Sequence, residues 1–132
     1  MIDAAAREFL QKPLIARFAT LSPDGYPHNV PVWFMLEGDD ILLISDRKIR
    51  KVKNAVRHPK GTVTIGGDIG DGAGYMIQGE LSIEEDPNKA VTHRMIDRYE
   101  SPEKAAEFKE LWKNDDIIVI RLKPVKVVKV WG

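Results

Sequence analysis

The chain has 132 residues, of which 43% are hydrophobic, with 20 basic residues, 20 acidic residues and no cysteine. This length and composition suit one domain with a single core, spanning residues 1–132. The lack of cysteine excludes disulfides, a thiolate nucleophile and cysteine-bound metal centres. Because the formal net charge is zero, we expect no long-range attraction to nucleic acid or to an anionic membrane.

The N-terminal residues Met1 to Arg7 lack the basic start and apolar centre of a signal peptide, and no apolar run approaches the roughly 20 residues of a membrane span. We therefore expect a cytoplasmic protein without a membrane partner. The histidines His28, His58 and His93 are far apart and show no metal-ligand spacing, so no metal is expected.

The first predicted elements are a helix and a hairpin. Asp3 can cap a helix that runs to about Lys12 and ends at Pro13. The apolar run over residues 14–21 is typical of a strand. It stops at the turn sequence Ser-Pro-Asp-Gly over residues 22–25, which predicts the first hairpin.

Six further strands are predicted from β-branched residues or from alternation of apolar and polar positions, over residues 28–36, 41–45, 62–66, 75–84, 117–122 and 125–131. Pro31 has no N–H and is normally excluded from central strands, so we expect an edge or a break there. The glycine-rich stretch over residues 66–74 does not satisfy the dinucleotide-binding fingerprint and is interpreted as a connection between strands.

Three more helices are predicted. Asp46 can cap a helix over residues 49–58, and two others begin with Pro87 and Pro102 at the first helical position. The apolar faces of these two helices consist of Val91, Met95, Ile96 and Tyr99, and of Ala105, Phe108, Leu111 and Trp112. Many short strands, with helices grouped in two places, predict a mainly β protein built on an antiparallel sheet or barrel with peripheral helices.

Positive charge is concentrated between residues 47 and 60, a stretch without acidic residues. Arg50 and Lys51 fall in the first turn of a predicted helix, where free N–H groups and the positive end of the helix dipole favour an anion such as phosphate. A solvated basic face and a weak RNA-binding patch are the alternatives. The aromatic residues are dispersed and form no stacking platform, so nucleic acid is not an expected partner.

Four segments, over residues 22–33, 44–59, 75–81 and 127–131, follow one another in the order and spacing of a known family. The hairpin Ser-Pro-Asp-Gly-Tyr-Pro-His-Asn-Val-Pro-Val-Trp resembles that of the pyridoxamine-phosphate-oxidase-like, FMN-binding split barrels. The second segment is similar to their phosphate-binding segment, in which Arg-Lys opens a helix. The third and fourth resemble their glycine-containing strand and their C-terminal strand.

The resemblance implies an antiparallel split β-barrel that forms a homodimer with the coenzyme at the interface. It implies that Arg50 and Lys51 hold the coenzyme phosphate and that the ring edge lies near Val30, Pro31, Val32, Trp33, Ile44 and Ser45. It also implies that Trp131 contacts the ring across the dimer. Read without the resemblance, residues 30–33 are a core strand, and Trp131 is an aromatic residue held in the core or on a partner surface.

True pyridoxamine-phosphate oxidases carry basic residues where this chain has Val30 and Met35, and their C-terminal substrate segment is not found here, so vitamin B6 oxidation is not expected. The resemblance instead implies an oxidoreductase that transfers hydride between FMN and a small organic molecule. Coenzyme F420 is the alternative coenzyme, and its acidic tail could bind Arg47, Lys48, Lys53 and Arg57.

A non-catalytic module that binds or stores the coenzyme is the alternative function. No side chain is assigned a catalytic role, because the coenzyme itself performs the hydride transfer.

Overall fold

A computed structural model describes residues 1–132. Its elements in chain order are α1 (Ala4–Leu10), β1 (Ala16–Leu21), β2 (Pro27–Val32), β3 (Met35–Glu37), β4 (Asp40–Asp46), α2 (Arg50–Arg57), β5 (Lys60–Gly66), β6 (Gly74–Glu84), α3 (Ala90–Tyr99), α4 (Pro102–Leu111) and β7 (Ile117–Trp131). All strand pairs are antiparallel, in the order β2-β1-β5-β6-β7-β4-β3. The predicted mainly β, antiparallel class is confirmed, and the sheet is not a closed barrel.

The main core fills the space between the sheet and helices α1 and α2. Helix α1 begins as predicted, with the Asp3 carboxylate accepting a hydrogen bond from the Ala6 N–H at 2.8 Å. Its buried face packs into the core with Phe18, Phe34 and the central residues of the other strands. Burial of this apolar surface is the main stabilising contribution of the fold.

The predicted strand over residues 28–36 is broken in two, because Trp33 and Phe34 leave the ladder between β2 and β3. The Phe34 N–H donates instead to the Tyr99 hydroxyl at 3.0 Å. Strand β2 lies at one edge of the sheet, and Pro31 pairs with Arg17 of β1. The edge predicted at Pro31 is therefore confirmed.

The last two predicted strands form the single strand β7, which runs through Pro124. Gln78 of β6 lies opposite Lys126 and Gly79 lies opposite Pro124, so Val125 is the extra residue of a β-bulge. A bulge tolerates proline because the ladder is locally interrupted there.

The prediction that Asp46 caps the second helix is wrong. Its carboxylate accepts from the Lys48 N–H at 3.0 Å and its carbonyl from the Ile49 N–H at 3.3 Å, which forms a turn before the helix. Ile49 occupies the N-cap position, where its side chain offers no acceptor. The first turn of α2 therefore has free N–H groups and no acidic residue.

Helices α3 and α4 pack on each other, and α3 packs against β4 and β7. Pro102 begins α4 as predicted, whereas Pro87 begins a short 3-10 turn that precedes α3. The Asp86 carboxylate accepts from the N–H groups of Val91 and Thr92 at 2.9 and 2.8 Å, and so caps α3 across that turn. The longest helices, α3 and α4, have 10 residues each, and no helix meets the length and hydrophobicity that a membrane span requires.

Candidate functional site

The first candidate site is a cavity of about 400 Å³ where the end of β2, the middle of β4 and the first turn of α2 meet. This aromatic cavity is lined by Ile15, Pro31, Val32, Trp33, Ile44, Lys51 and Trp112. Four of the six residues predicted to lie near the ring edge therefore line one cavity together with Lys51: Pro31, Val32, Trp33 and Ile44. Lys51 is the only charged residue of the lining, which makes the cavity suitable for an apolar ring that carries one anionic group.

Lys51 projects from α2 into this apolar setting and is half-buried. Desolvation lowers its pKa from the usual lysine value. No carboxylate forms an ion pair with it in the structure, so a bound anion would stabilise the ammonium form of Lys51.

Arg50 lies on a different side of α2 and faces a second pocket of about 330 Å³. This basic pocket is lined by Pro23, Lys48, Arg50, Lys53, Asn54 and Arg57 and contains no carboxylate. Consecutive helical residues point about 100° apart, which separates Arg50 from Lys51. The predicted phosphate pair therefore flanks the first turn of α2 from two sides and does not line one cavity.

The floor of the basic pocket is a fixed polar network. Asn54 is buried, donates to the Thr20 hydroxyl at 3.1 Å and accepts from Arg57 at 3.1 Å. Arg57 also donates to the Leu21 carbonyl. Lys48, Arg50 and Lys53 are exposed above this floor and are free to meet an anion.

Arg47 does not line the basic pocket, because it forms ion pairs with two carboxylates outside that pocket. It pairs with Glu85 at 2.5 Å and with Asp116 at 2.7 Å. Hydrogen bonding to Asp116 and Glu85 raises the pKa of Arg47, and the same pairing lowers the pKa of Asp116. Of the residues considered for an acidic coenzyme tail, only Lys48, Lys53 and Arg57 line the basic pocket.

A third pocket, of about 220 Å³, adjoins the aromatic cavity. This acidic pocket is lined by Ile44, Ser45, Asp46, Trp112, Asp115 and Ile117 and shares Ile44 and Trp112 with the aromatic cavity. The predicted residue Ser45 lies here, buried, with its hydroxyl donating to the Asp46 carbonyl at 3.0 Å.

Two predicted residues line none of these spaces. Val30 packs against the main core. Trp131 lies at the end of β7, opposite Gly74, and is 60% exposed. Within one protomer, Trp131 does not belong to the lining of the aromatic cavity, and the resemblance implies that its contact with the ring is made across the dimer.

An aromatic cluster behind the cavity was not predicted as part of the site. Trp33 stacks on Tyr99, with ring centroids 4.9 Å apart, and lies 6.2 Å from both Phe108 and Trp112. The Tyr99 hydroxyl donates to the Leu14 carbonyl at 2.6 Å, and burial raises the Tyr99 pKa. The apolar pattern of α3 and α4 indicated that these residues are inward-facing, but not that they support the site.

Arg98 is a second residue that the sequence analysis missed. Its guanidinium donates to the Phe34 carbonyl at 2.9 Å and to the carbonyls at the C-terminal end of α1, those of Leu10, Gln11 and Lys12. Arg98 thereby ties α1 and α3 to the break between β2 and β3, which carries Trp33.

A larger groove of about 500 Å³ lies away from this region, along β1, β5 and β6, and is lined mainly by polar side chains and glycine. It has neither an aromatic residue in its lining nor contact with the first turn of α2, so we do not assign it the ring. No group of three or more His, Asp or Glu residues is placed to hold a metal ion.

The family model described as pyridoxamine 5'-phosphate oxidase matches residues 2–130. The chain belongs to this family. The predicted resemblance and the split-barrel fold are therefore confirmed. No curated protein sequence matches the chain significantly.

Solved structures of this split-barrel type are similar to the chain over nearly its whole length. An F420 reductase is 23% identical with a TM-score of 0.75, covering 92% of this chain and 94% of that one. A conserved hypothetical protein from Mycobacterium tuberculosis is 22% identical, with a TM-score of 0.76 and coverage of 100% and 85%. The heme storage protein HutZ from Vibrio cholerae is 17% identical, with a TM-score of 0.68 and coverage of 99% and 96%.

Proposed function

We propose that this member of the pyridoxamine 5'-phosphate oxidase family binds a flavin or deazaflavin coenzyme and transfers hydride between it and a small organic molecule. FMN is the first candidate and coenzyme F420 the alternative. One observation carries the proposal: an apolar, aromatic cavity with a single cation, Lys51, lies directly against the uncapped first turn of α2.

The first turn of α2 fits a phosphate group. It presents free N–H groups and the positive end of the helix dipole, and its N-cap residue Ile49 contributes no acceptor. Arg50 and Lys51 add positive charge to a position where the helix itself already disfavours it. A bound phosphate would relieve this unfavourable arrangement, with Arg50 on one side and Lys51 on the other.

The aromatic cavity fits a planar ring. Pro31, Val32, Trp33 and Ile44 supply apolar and aromatic surface, and Pro31 has no N–H to satisfy when the ring excludes water. The bound coenzyme would supply the hydride chemistry, while these residues bind the ring, orient it and exclude solvent. No His, Asp or Glu lines the cavity, so a proton needed by the acceptor would come from solvent.

We propose further that the working unit is a homodimer, in which Trp131 of one protomer covers the ring held by its partner. The support is that Trp131 and Val130 are 60% and 50% exposed at the end of β7. Large apolar side chains at a strand end are suited to a protein interface.

The choice between the two coenzymes depends on the basic pocket. FMN requires only the phosphate site. The acidic tail of coenzyme F420 requires further cations, and Lys48, Lys53 and Arg57 are grouped beside Arg50. The similarity to an F420 reductase supports keeping this alternative.

A non-catalytic role in coenzyme binding or storage is the second candidate function. It is favoured by the absence of an acid or base other than Lys51 from the cavity lining. Reoxidation kinetics separate the two functions, because a storage protein would slow the reaction of reduced coenzyme with small acceptors and an oxidoreductase would accelerate it.

The deciding experiment is a titration of the purified protein with FMN and with coenzyme F420, followed by absorbance, fluorescence and gel filtration. We expect one coenzyme to co-elute with a dimer. Substitution of both Arg50 and Lys51 by Ala should abolish this binding. The matched control variant carries Ala at Arg94 and Lys104, two exposed cations on α3 and α4, and should bind the coenzyme normally. Full coenzyme affinity in the variant that lacks Arg50 and Lys51 would refute the proposed site.

A further inference from the structure

Trp112 lies where two pockets adjoin. The aromatic cavity of about 400 Å³ and the acidic pocket of about 220 Å³ have Trp112 and Ile44 in common. Ile44 belongs to β4, in the middle of its pairing with β7, and Trp112 directly follows α4. The two pockets therefore adjoin where these two side chains lie.

The helix that precedes Trp112, α4, has the fewest buried residues of the four helices. Ala105 is the only buried residue of α4, and Leu111 next to Trp112 is 70% exposed. Trp112 is half-buried, and its ring centroid lies 5.0 Å from that of Phe108 in α4 and 6.2 Å from that of Trp33. Both of these pairs are tilted, whereas Trp33 is stacked in parallel on Tyr99.

We infer that Trp112 is a specificity-determining residue, which limits the hydride acceptor to a neutral, planar, conjugated molecule of about one ring. This inference rests on the proposed function, because a coenzyme ring and an acceptor must share the aromatic cavity. On the side of the acidic pocket, an acceptor that extends beyond the aromatic cavity has to pass Trp112 and Ile44, the residues that the two pockets share. A second fused ring in that direction would meet the Trp112 indole.

The two carboxylates of the acidic pocket determine which charge the acceptor can carry. Asp46 and Asp115 line it, and the nearby cation Arg47 is paired with Glu85 and Asp116 instead. Uncompensated carboxylates repel an anion at short range. Lys51, the one cation of the aromatic cavity, is assigned to the coenzyme phosphate and does not serve the acceptor.

Two neutral quinones test the limit on size: 1,4-benzoquinone, with one ring, and 1,4-naphthoquinone, with two. Each quinone accepts a hydride from the reduced coenzyme and a proton from water, and leaves as the hydroquinone. The protein is loaded with FMN or coenzyme F420, whichever binds, reduced with one equivalent of dithionite, and mixed with each quinone without oxygen. The reoxidation rate is measured for the wild type and for Trp112→Ala, Trp112→Phe and Leu111→Ala.

We expect Trp112→Ala to raise the rate with naphthoquinone relative to benzoquinone by at least about tenfold, the discrimination that one apolar group commonly provides in a binding pocket. Trp112→Phe should give a ratio of the two rates between those of the wild type and Trp112→Ala. It replaces Trp112→Ala in the test if the alanine variant does not fold. Leu111→Ala, an exposed neighbour on the same helix, should retain the wild-type ratio. Comparing each variant with the wild type cancels the intrinsic reactivity of the two quinones.

Two results would overturn the inference, and they differ in what else they affect. An unchanged ratio in both Trp112 variants, with coenzyme still bound, would refute the role of Trp112 and leave the proposed function intact. Failure of the wild type to bind either coenzyme would refute the proposed function, and the inference with it.

Discussion

Trp33 and Tyr99 stack almost in parallel, with ring centroids 4.9 Å apart and an angle of 5° between the planes. The Tyr99 hydroxyl bonds both to the Leu14 carbonyl and to the Phe34 N–H. Leu14 precedes Ile15 and Phe34 follows Trp33, and Ile15 and Trp33 both line the aromatic cavity. One side chain of α3 therefore fixes two separate segments that form the candidate site.

Replacing Tyr99 by Phe tests this arrangement, because it removes the hydroxyl and keeps the stacked ring. We expect the free energy of unfolding to fall by about 1–2 kcal/mol, since the Leu14 carbonyl and the Phe34 N–H lose a partner. Coenzyme affinity should fall as well, because both segments are loosened. Urea denaturation and coenzyme titration measure the two effects, and Tyr26→Phe, at a ring that is 74% exposed, should change neither.

The pH dependence of stability tests the position of Lys51. Burial lowers its pKa in the folded state, so the unfolded chain binds the proton more readily and the stability of the wild type should rise as pH increases towards the unfolded lysine value. Lys51→Met removes this dependence. We expect the variant's advantage in free energy of unfolding to be largest near neutral pH and to shrink as the pH approaches about 10.4.

Urea denaturation at several pH values provides the measurement for Lys51→Met. Lys53→Met removes a charge from an exposed position of the same helix and controls for the general effect of net charge. A stability difference for Lys51→Met that stayed constant from neutral to alkaline pH would show that its ammonium group is not desolvated in the cavity.

Features set by neighbouring residues could be predicted from the sequence, and features set by distant ones could not. The Asp3 cap, the turn over residues 22–25 and the edge at Pro31 depend on local chemistry, and all were found. The break at Trp33 depends on Tyr99, whose hydroxyl contacts Phe34 from 65 positions away. No local pattern encodes that contact, so residues 28–36 resembled one strand.

The same reason explains what was missed in the site. Arg50 and Lys51 were correctly placed in the first turn of α2, but neighbouring positions on a helix face different directions, and only the packing of α2 decides which cavity each side chain reaches. The basic residue Arg47 resembled its neighbours in sequence. Its carboxylate partners Glu85 and Asp116 lie 38 and 69 positions away, so its pairing was not visible from the sequence.

Trp131 provides a test of the proposed dimer. Its side chain is 60% exposed in one protomer, so Trp131→Ala should leave the free energy of unfolding of that protomer nearly unchanged. We expect coenzyme affinity to fall by about tenfold or more, because a stacked aromatic ring would be lost from the partner's site. Ile69→Ala, at an apolar side chain that is fully exposed, should retain wild-type affinity. Equal affinities of the wild type and both variants would argue against a shared site.

A substitution at Arg121 tests how an ion-pair network outside the candidate site contributes to the stability of the sheet. It bonds to Glu84 at 2.7 Å, Glu37 at 2.8 Å and Asp40 at 3.0 Å, with 22% of its side chain exposed. Arg121→Met keeps the aliphatic part of the side chain and leaves three carboxylates close together. We expect a loss of about 1–2 kcal/mol in the free energy of unfolding at neutral pH, because charge-assisted hydrogen bonds are removed in a partly exposed position.

The loss caused by Arg121→Met should depend on the salt concentration in a defined direction. Added salt screens the repulsion between the three carboxylates, so the stability of the variant should approach that of the wild type as the ionic strength rises. Coenzyme titration should give the wild-type affinity, since Arg121 lines none of the three pockets. A stability difference that was independent of salt would mean that the lost packing of Arg121, and not the repulsion between Glu37, Asp40 and Glu84, destabilises the variant.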